Sequence, residues 1–480
     1  MRFIPTLIAI LALGSAHAAE RPNILFIMLD DLGKEWVSAY GATDIKTPTI
    51  DRLSEEGMRF ENFYVMPQCT PTRASVLTGQ YPFRHGWVNH WDVPRWGGGA
   101  HFDSSRNPSV ARMLQSAGYK TAAAGKWQIN DFRVQPGVMH DHGFDDYCMW
   151  TGFETGNPPS AKRYWDPYLH TTEGSRTHEG RFATDIYADF LIQFMRENRE
   201  SPMFLYFAPS LPHTPLVATP LEPEAEGGLA KHKAMVRYMD HILDRLLDAL
   251  DELELRENTL VIFTTDNGST GSITGTRHGR EVPGAKSKLN EAGTAVPFIV
   301  SQPGTVPEGV VSEALSDITD MLPTFLDLAG ARPDERYVYD GHSMVEVFHG
   351  KSADGPREWI LSMGGGNRAR LTPNGVENEW HFRDRVIRDQ RYKLYISTDR
   401  KPVRLFDLKE DPWETHNLVD DPTHAAVRDC LFNHIADHPA QDADPIYDPL
   451  PPQPWDVEIS AESQTWKSGS PIEHPCAIAD

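Results

Sequence analysis

Cys69 opens the run Cys69-Thr70-Pro71-Thr72-Arg73-Ala74-Ser75-Val76-Leu77-Thr78-Gly79, which puts a nucleophilic side chain where a helix should begin. Thr70 suits an N-cap and Pro71 the first helical position, where a missing N–H costs nothing. Gly79 suits the stop. A side chain placed there faces the positive end of the helix dipole, where backbone N–H groups favour an anion. The plainer alternative is a small cysteine entering a helix. Two further clusters, Asp30-Asp31 and Asp266-Asn267, offer hard oxygen ligands. Such a set suits Ca²⁺, with Mg²⁺ as the alternative, and not zinc, which prefers nitrogen and sulfur. Both clusters can equally be turns, since Asp-Asn-Gly is strong turn chemistry.

Elements must bring these residues together. Short apolar runs at 23–29, 120–124, 203–208, 259–264 and 297–300 read as buried strands of a parallel sheet. Helical stretches at 48–57, 109–117, 183–198 and 230–255 lie between them, which is the α/β alternation. Ligands of open α/β sheets bind outside the carboxyl ends of the strands. Asp30-Asp31, Gly125-Lys126-Trp127-Gln128, Pro212-His213-Thr214-Pro215 and Asp266-Asn267-Gly268 each follow one of these strands. Four polar clusters on one edge are hard to read as four unrelated turns.

The run at Cys69 fills every fixed position of C-x-P-x-R-x-x-x-L-T-G and so resembles the signature of the type I, formylglycine-dependent sulfatases of the alkaline phosphatase-like superfamily. The resemblance runs from about residue 21 to 418. It implies an alkaline phosphatase-like α/β/α sandwich with a smaller C-terminal α+β subdomain carrying a short antiparallel sheet. It also implies oxidation of Cys69 to formylglycine, whose hydrated aldehyde attacks the sulfur of a sulfate ester. Asp30, Asp31, Asp266 and Asn267 map onto the family's calcium site, with residue 69 supplying a further oxygen. Arg73, Lys126, His213 and Lys286 match the cationic residues that hold sulfate oxygens and assist the leaving alkoxide. Lys286 lies in Gly284-Ala285-Lys286, five residues before Glu291, as in the family's G-x-K-x-x-x-x-E-G-G segment. The sequence departs from the family where G-K-W-H becomes G-K-W-Q. Gln128 can hydrogen-bond a hydroxyl of residue 69 but cannot accept a proton at neutral pH. Ala292 and Ala295 replace a glycine and an arginine often found after Glu291. Leu405 to Leu418 is similar to the family's closing L-(Y/F)-D-L-x-x-D-P-x-E-x-x-N-L segment.

Bulk properties bound the function. A formal charge of −22 over 480 residues argues against nucleic-acid binding, which needs a basic footprint. An anionic substrate must therefore be held by a local cationic cluster. Residues 1–18 read as a secretory signal peptide ending at Ala16-His17-Ala18, so a periplasmic or secreted protein is expected, with no membrane span. The remaining divisions are a catalytic domain at 19–350, the α+β subdomain at 351–438 and a proline-rich tail at 439–480. Of four cysteines, Cys430 and Cys476 are the pair expected to form a disulfide. Trp87, His90, Trp91, Trp96 and His101 make an aromatic patch suited to sugar rings, and His101, Arg277 and His278 are the candidate substrate contacts. The reading is an exported sulfatase acting on a sulfated carbohydrate, its partner a formylglycine-generating or anaerobic maturation enzyme. The rivals are a phosphonate monoester or phosphodiester hydrolase of the same superfamily and a catalytically weak sulfoglycan-binding protein.

Overall fold

The computed structural model describes residues 21–88, 101–154, 156–364, 369–372, 375–378, 381–436, 438–448, 450–451 and 453–454. The expected signal peptide, the end of the tail with Cys476, and His90, Trp91 and Trp96 lie outside the described residues.

Ten strands form the central sheet. In chain order they are β1 (Asn23–Leu29), β2 (Met58–Phe60), β3 (Lys120–Lys126), β4 (Asp146–Trp150), β5 (Tyr168–Thr171), β6 (Gly174–Thr177), β7 (Met203–Ala208), β8 (Thr259–Thr265), β9 (Ile299–Ser301) and β10 (Val310–Ser312). Their order across the sheet is β10-β2-β9-β8-β1-β7-β3-β4-β5-β6. The central five, β8-β1-β7-β3-β4, run parallel. The 297–300 run does not join them as expected: β9 pairs antiparallel with β8. An apolar run records burial but not direction, and that is the physical reason for the difference.

Alternation along β1 builds the two faces. Ile24, Phe26 and Met28 enter one core layer, and Leu25, Ile27 and Leu29 enter the other. The first layer is covered by α2 (Cys69–Thr78), α3 (Val110–Ser116) and α6 (Met321–Leu328) through Val76, Leu114 and Phe325; the second by α1 (Pro48–Glu55), α4 (Ala183–Asn198) and α5 (Gly228–Glu252) through Leu53, Leu191 and Leu246. Strands buried on both sides are continuous in apolar residues because neither face meets water. The result is the expected α/β/α sandwich.

The four-stranded C-terminal sheet is antiparallel, with β11 (Ile360–Met363), β12 (Arg385–Arg388), β13 (Tyr392–Ile396) and β14 (Pro402–Asp407) in that order. Leu361, Ile387, Leu394 and Leu405 join the first core layer, with Leu431 of α7 (Ala425–Asn433). The opposite face of β13 carries Lys393, fully buried, whose Nζ lies 2.9 Å from Glu291 Oε1 and 3.2 Å from Glu414 Oε1. Tyr64 donates to Glu291 Oε2 at 2.7 Å, and Glu414 Oε2 accepts the Glu291 amide at 2.7 Å. This network ties the chain that carries Lys286 to the C-terminal sheet. Lys393→Met leaves two largely buried carboxylates without their cation and is expected to cost about 3 kcal/mol. Urea unfolding followed by circular dichroism checks it, and an unchanged midpoint would show that the network is not holding the sheet in place.

Candidate active site

Four adjacent parallel strands, β8, β1, β7 and β3, deliver their carboxyl ends to one place. Asp30 and Asp31 follow β1, Lys126 is the last residue of β3, His213 follows β7, and Asp266 and Asn267 follow β8. Gly125 is needed just before Lys126, because its φ is +116° and a Cβ there would sit 2.1 Å from the Ala208 carbonyl oxygen. Helix α2 brings Cys69 to the same edge. Its first residue is Cys69 itself, with Gln68 in the N-cap position, so Thr70 does not cap it. Gly79 closes the helix in the left-handed conformation at φ 65°, as expected.

Cys69 is buried, and its Sγ lies 3.4 Å from Asp30 Oδ1. Lys126 Nζ donates to Asp30 Oδ2 at 2.8 Å. Lys286 Nζ lies 2.7 Å from Asp31 Oδ1 and 2.9 Å from Oδ2. Arg73 is wholly engaged: Nε and Nη2 reach Asp266 Oδ2 at 3.1 and 2.7 Å, and Nη1 reaches the Lys126 carbonyl oxygen at 3.1 Å. The Asp31 amide donates to Asp266 Oδ1 at 3.2 Å, and Asn267 Nδ2 donates to Asp31 Oδ1 at 2.7 Å. His213 Nε2 stands 3.7 Å from Asp31 Oδ2. Every catalytic or metal candidate named from the sequence, Gln128 apart, thus lies within contact distance of another member of this cluster.

Electrostatics follow from burial and crowding. Burial, then the neighbouring Asp266, pushes the Cys69 thiol up to about 12, against the pull of Lys126 and Lys286. Burial would raise the Asp30 carboxyl, but Lys126, with His213, Arg73 and Lys286, holds it well below the usual carboxylate range. Burial and Asp30 lift Asp266 to about 6 despite Arg73. Burial, reinforced by Lys286, lowers His213 to about 3. The carboxylates therefore repel one another in a place that water does not screen.

Three carboxylates converging on one place offer hard oxygen ligands to a divalent cation, and so does one orphaned atom. Asn267 Oδ1 is buried without a hydrogen-bond partner, in position to serve as a hard oxygen ligand. Ligand atoms of Asp30, Asp31, Cys69 and His213 all lie within 4.8 Å of one another. His213, assigned from the sequence to the cationic side only, therefore stands closer to the carboxylates than expected. Gln128 has a left-handed φ of 67°, its amide donates to the Thr151 carbonyl oxygen at 2.7 Å, and its Oε1 is buried and unpartnered.

The three candidate substrate contacts bond to other parts of the chain. His101 contacts Gln135 Oε1 at 3.1 Å and the Asp448 carbonyl oxygen at 2.8 Å, beside a pocket of about 450 Å³. Arg277 Nε donates to the Tyr40 carbonyl oxygen at 2.9 Å, and the His278 amide to that of Gly41 at 2.9 Å. Both line a separate cavity of about 970 Å³ with Lys34, Glu61 and Trp413. Among the described residues no hydrogen bond or ion pair joins these three to the cluster around Cys69. Trp87 is fully buried. Cys148 is buried as a free thiol and Cys430 is exposed.

Sequence reasoning missed Arg163. This residue is buried, lies over the Trp150 ring, and reaches His213 Nδ1 at 3.0 Å. It lies between Lys162 and Tyr164, and nothing in that local pattern points to His213, 50 residues on.

Comparison with known proteins bears on this geometry. The family model described as Sulfatase matches residues 22–331, and the model described as N-sulphoglucosamine sulphohydrolase, C-terminal, matches residues 285–441. The chain is 31% identical to N-acetylgalactosamine-6-sulfatase of Canis lupus familiaris over 70% of its own length and 68% of that protein's. It is likewise 31% identical to Arylsulfatase G of Homo sapiens over 85% of its length and 82% of that protein's. The solved structure of Ps i-CgsB in complex with k-i-k-neocarrahexaose superposes with a TM-score of 0.74 at 25% identity, covering 89% of this chain and 94% of that one.

Proposed function

The chain belongs to the sulfatase family, hydrolases of sulfuric esters, and we propose that it removes sulfate from a carbohydrate through a formylglycine made from Cys69, with calcium bound at the same strand ends. The observation that carries this reading is the placement of Cys69, at a helix start 3.4 Å from Asp30 and among Lys126, Lys286 and His213. A carbohydrate substrate is supported by the relative named for N-acetylgalactosamine 6-sulfate hydrolysis and by the carrahexaose complex of the structural neighbour. Export to the periplasm or medium is supported by the basic start at Arg2, the apolar run from Phe3 to Leu13 and the small-residue site Ala16-His17-Ala18. Maturation requires a formylglycine-generating or anaerobic enzyme as partner.

Once formed, the hydrated aldehyde of residue 69 would supply the hydroxyl that attacks sulfur, and a bound cation would supply Lewis-acid neutralisation of the negative charge gathered there. The chain's own residues do the rest. Asp30, Asp31, Asp266 and Asn267 would hold the cation. Arg73 fixes Asp266 through two bonds to a single oxygen and braces the end of β3. Lys126 and Lys286 point ammonium groups into the site, suited to sulfate oxygens and to an alkoxide leaving with a high pKa. His213 presents Nε2 beside Asp31 and can give a proton to the same leaving oxygen. Gln128 takes no proton, and its unpartnered Oε1 can accept a hydrogen bond from a hydroxyl of residue 69.

Two measurements test this. Peptide mass spectrometry of protein matured in a competent host should show a loss of roughly 18 Da at Cys69, the conversion of thiol to aldehyde. Paired assays on aryl sulfate and aryl phosphonate esters should give faster turnover of the sulfate. An unmodified thiol in fully active protein, or a marked preference for phosphonate, would overturn the reading.

A further inference from the structure

We propose that the cavity of about 970 Å³ between the 274–283 hairpin and the C-terminal sheet is a second glycan-binding site, one that holds a sulfated sugar unit without cutting it. Its walls are the hairpin Thr274–Arg277 with Arg280–Pro283, the edge strands β2 and β10, and β12 of the C-terminal sheet. None of the residues assigned to the cation or to catalysis lines it. The preference for an anion stands on the charges of the cavity alone. The choice of a glycan as its carrier rests also on the sulfate-ester reading above.

Five cations of this cavity have no carboxylate oxygen closer than 3.8 Å among the described residues. Lys34 and Arg388 are only 6% and 5% exposed. The Lys34 ammonium donates to the Glu61 carbonyl oxygen at 2.7 Å and has no ion pair. Arg388 Nε donates to the Asp389 carbonyl oxygen at 3.1 Å, and its Nη1 stays 4.0 Å from Glu291 Oε2. Arg277 Nη2 stays 3.8 Å from Glu61 Oε2. Arg280 and Lys288 are exposed at the mouth without ion pairs, Arg280 lying over the Trp413 ring at 4.5 Å.

The carboxylates of the same cavity are committed to other partners. Glu291 and Glu414 are held by Lys393. Glu35 is bonded to Ser269, and burial holds its carboxyl above the usual range, which disfavours its charge. Glu313 Oε2 accepts from Asn62 at 3.1 Å, and Glu281 is exposed to solvent. Glu61 takes Arg59 Nε at 3.1 Å and is left as one carboxylate among Lys34, Arg59, Arg277 and Arg388. The shortage of negative charge shows in Lys34, which burial, then Arg277, lowers to about 8 despite Glu61. Buried cations without a counterion are costly, and a sulfate group set between ammonium and guanidinium groups gains charge-assisted hydrogen bonds. The volume suits more than a lone ion, since small-molecule sites run to about 1,000 Å³. The cations also extend from the buried floor to the exposed mouth, as the successive charges of a sulfated chain require.

The test is binding, followed by titration calorimetry and hydrogen–deuterium exchange on protein made without its maturation enzyme, which leaves bound chains uncut. The probes are sulfated hexasaccharides of carrageenan, chondroitin sulfate and heparin, a desulfated carrageenan hexasaccharide, and inorganic sulfate. A sulfated hexasaccharide should slow exchange in residues 274–283 and 408–414. Lys34→Met and Arg280→Glu should each weaken its binding about 10-fold or more, and desulfation should do the same. Arg280 is exposed, so Arg280→Glu reports on the cavity even where Lys34→Met fails to fold. In matured protein, Arg280→Glu should keep turnover of 4-nitrophenyl sulfate within about 2-fold of the wild type. Slowed exchange confined to residues 126–128 and 210–214, or undiminished binding in Arg280→Glu, would overturn the proposal. So would binding of the desulfated chain as tight as that of the sulfated one, or no protection by any hexasaccharide. Inorganic sulfate binding as tightly as the hexasaccharide would make this an adventitious ion only. Matured wild type that binds the hexasaccharide here and releases no sulfate would sink the functional reading and leave the second site standing.

Discussion

Replacing Cys69 by alanine is expected to lower sulfate-ester turnover by about 10⁴-fold or more while the fold persists, since removing a nucleophile costs most of what the whole site contributes. The structural cost is small. One buried sulfur is lost from the first turn of a helix whose packing is carried by Ala74, Val76 and Leu77, and the change should stay near 1 kcal/mol. The thiol itself is no candidate for the attacking group. Burial, then Asp266, pushes it up to about 12, so at neutral pH only about one part in 10⁵ would be thiolate. A buried thiol beside Asp30 is a poor nucleophile but a well-placed precursor of a neutral hydrate that needs no such ionisation. Kinetics of Cys69→Ala beside its melting temperature separates the two effects. Retained turnover in a well-folded Cys69→Ala protein would mean that another group attacks sulfur.

Much of this site was legible before any coordinates, for a reason particular to parallel sheets. Strands buried on both faces are unbroken apolar runs, and the first polar residue after each run is the one at the carboxyl edge. Asp30, Lys126 and Asp266 mark the ends of their strands in this way, and His213 follows soon after β7. The candidate metal ligands were readable because oxygen chemistry and the resemblance point to the same four positions. What stayed hidden depends on direction or on distant pairing. The 297–300 run was readable as a strand, but its antiparallel direction was not. Thr70 has the chemistry of a cap, yet α2 begins one residue before it because Gln68 takes the extended conformation. Arg163 meets a partner 50 residues away, and Lys393 one 102 residues away, so neither leaves a local pattern. Arg277 and His278 were named as candidate sugar contacts for their polar side chains, which say nothing of where they sit in the fold. They lie at the tip of a hairpin, Thr274–Arg277 with Arg280–Pro283, that docks on residues 40–43 through pairings distant in sequence.

Removing divalent cations is expected to abolish turnover and to lower the melting temperature, and Asp266→Asn should remove the response to calcium. Three buried carboxylates crowd together here, and Asn267 Oδ1 among them has no hydrogen-bond partner. A cation that binds only the folded chain at 100 times its Kd adds about 2.7 kcal/mol. For a chain of 480 residues, an unfolding entropy of about 2.1 cal/mol/K per residue converts that gain to roughly 3 °C. The pH dependence follows from Asp266, whose carboxyl burial and Asp30 raise to about 6. Below that value it is protonated in the cation-free protein, so the cation must displace a proton and its affinity falls as the pH drops. Above it the carboxylate is already free and the affinity levels off. Thermal melts in chelator, calcium and magnesium, with titration calorimetry at pH 5 and pH 7.5, read these effects without relying on activity. Calcium should bind more tightly than magnesium, because a site of several fixed carboxylates and an amide suits the larger, more flexibly coordinated ion. Identical melts with and without cations would remove the metal from the proposed site. A calcium response surviving in Asp266→Asn would move the ion onto Asp30, Asp31 and their nearer neighbours, leaving Asp266 as the partner of Arg73.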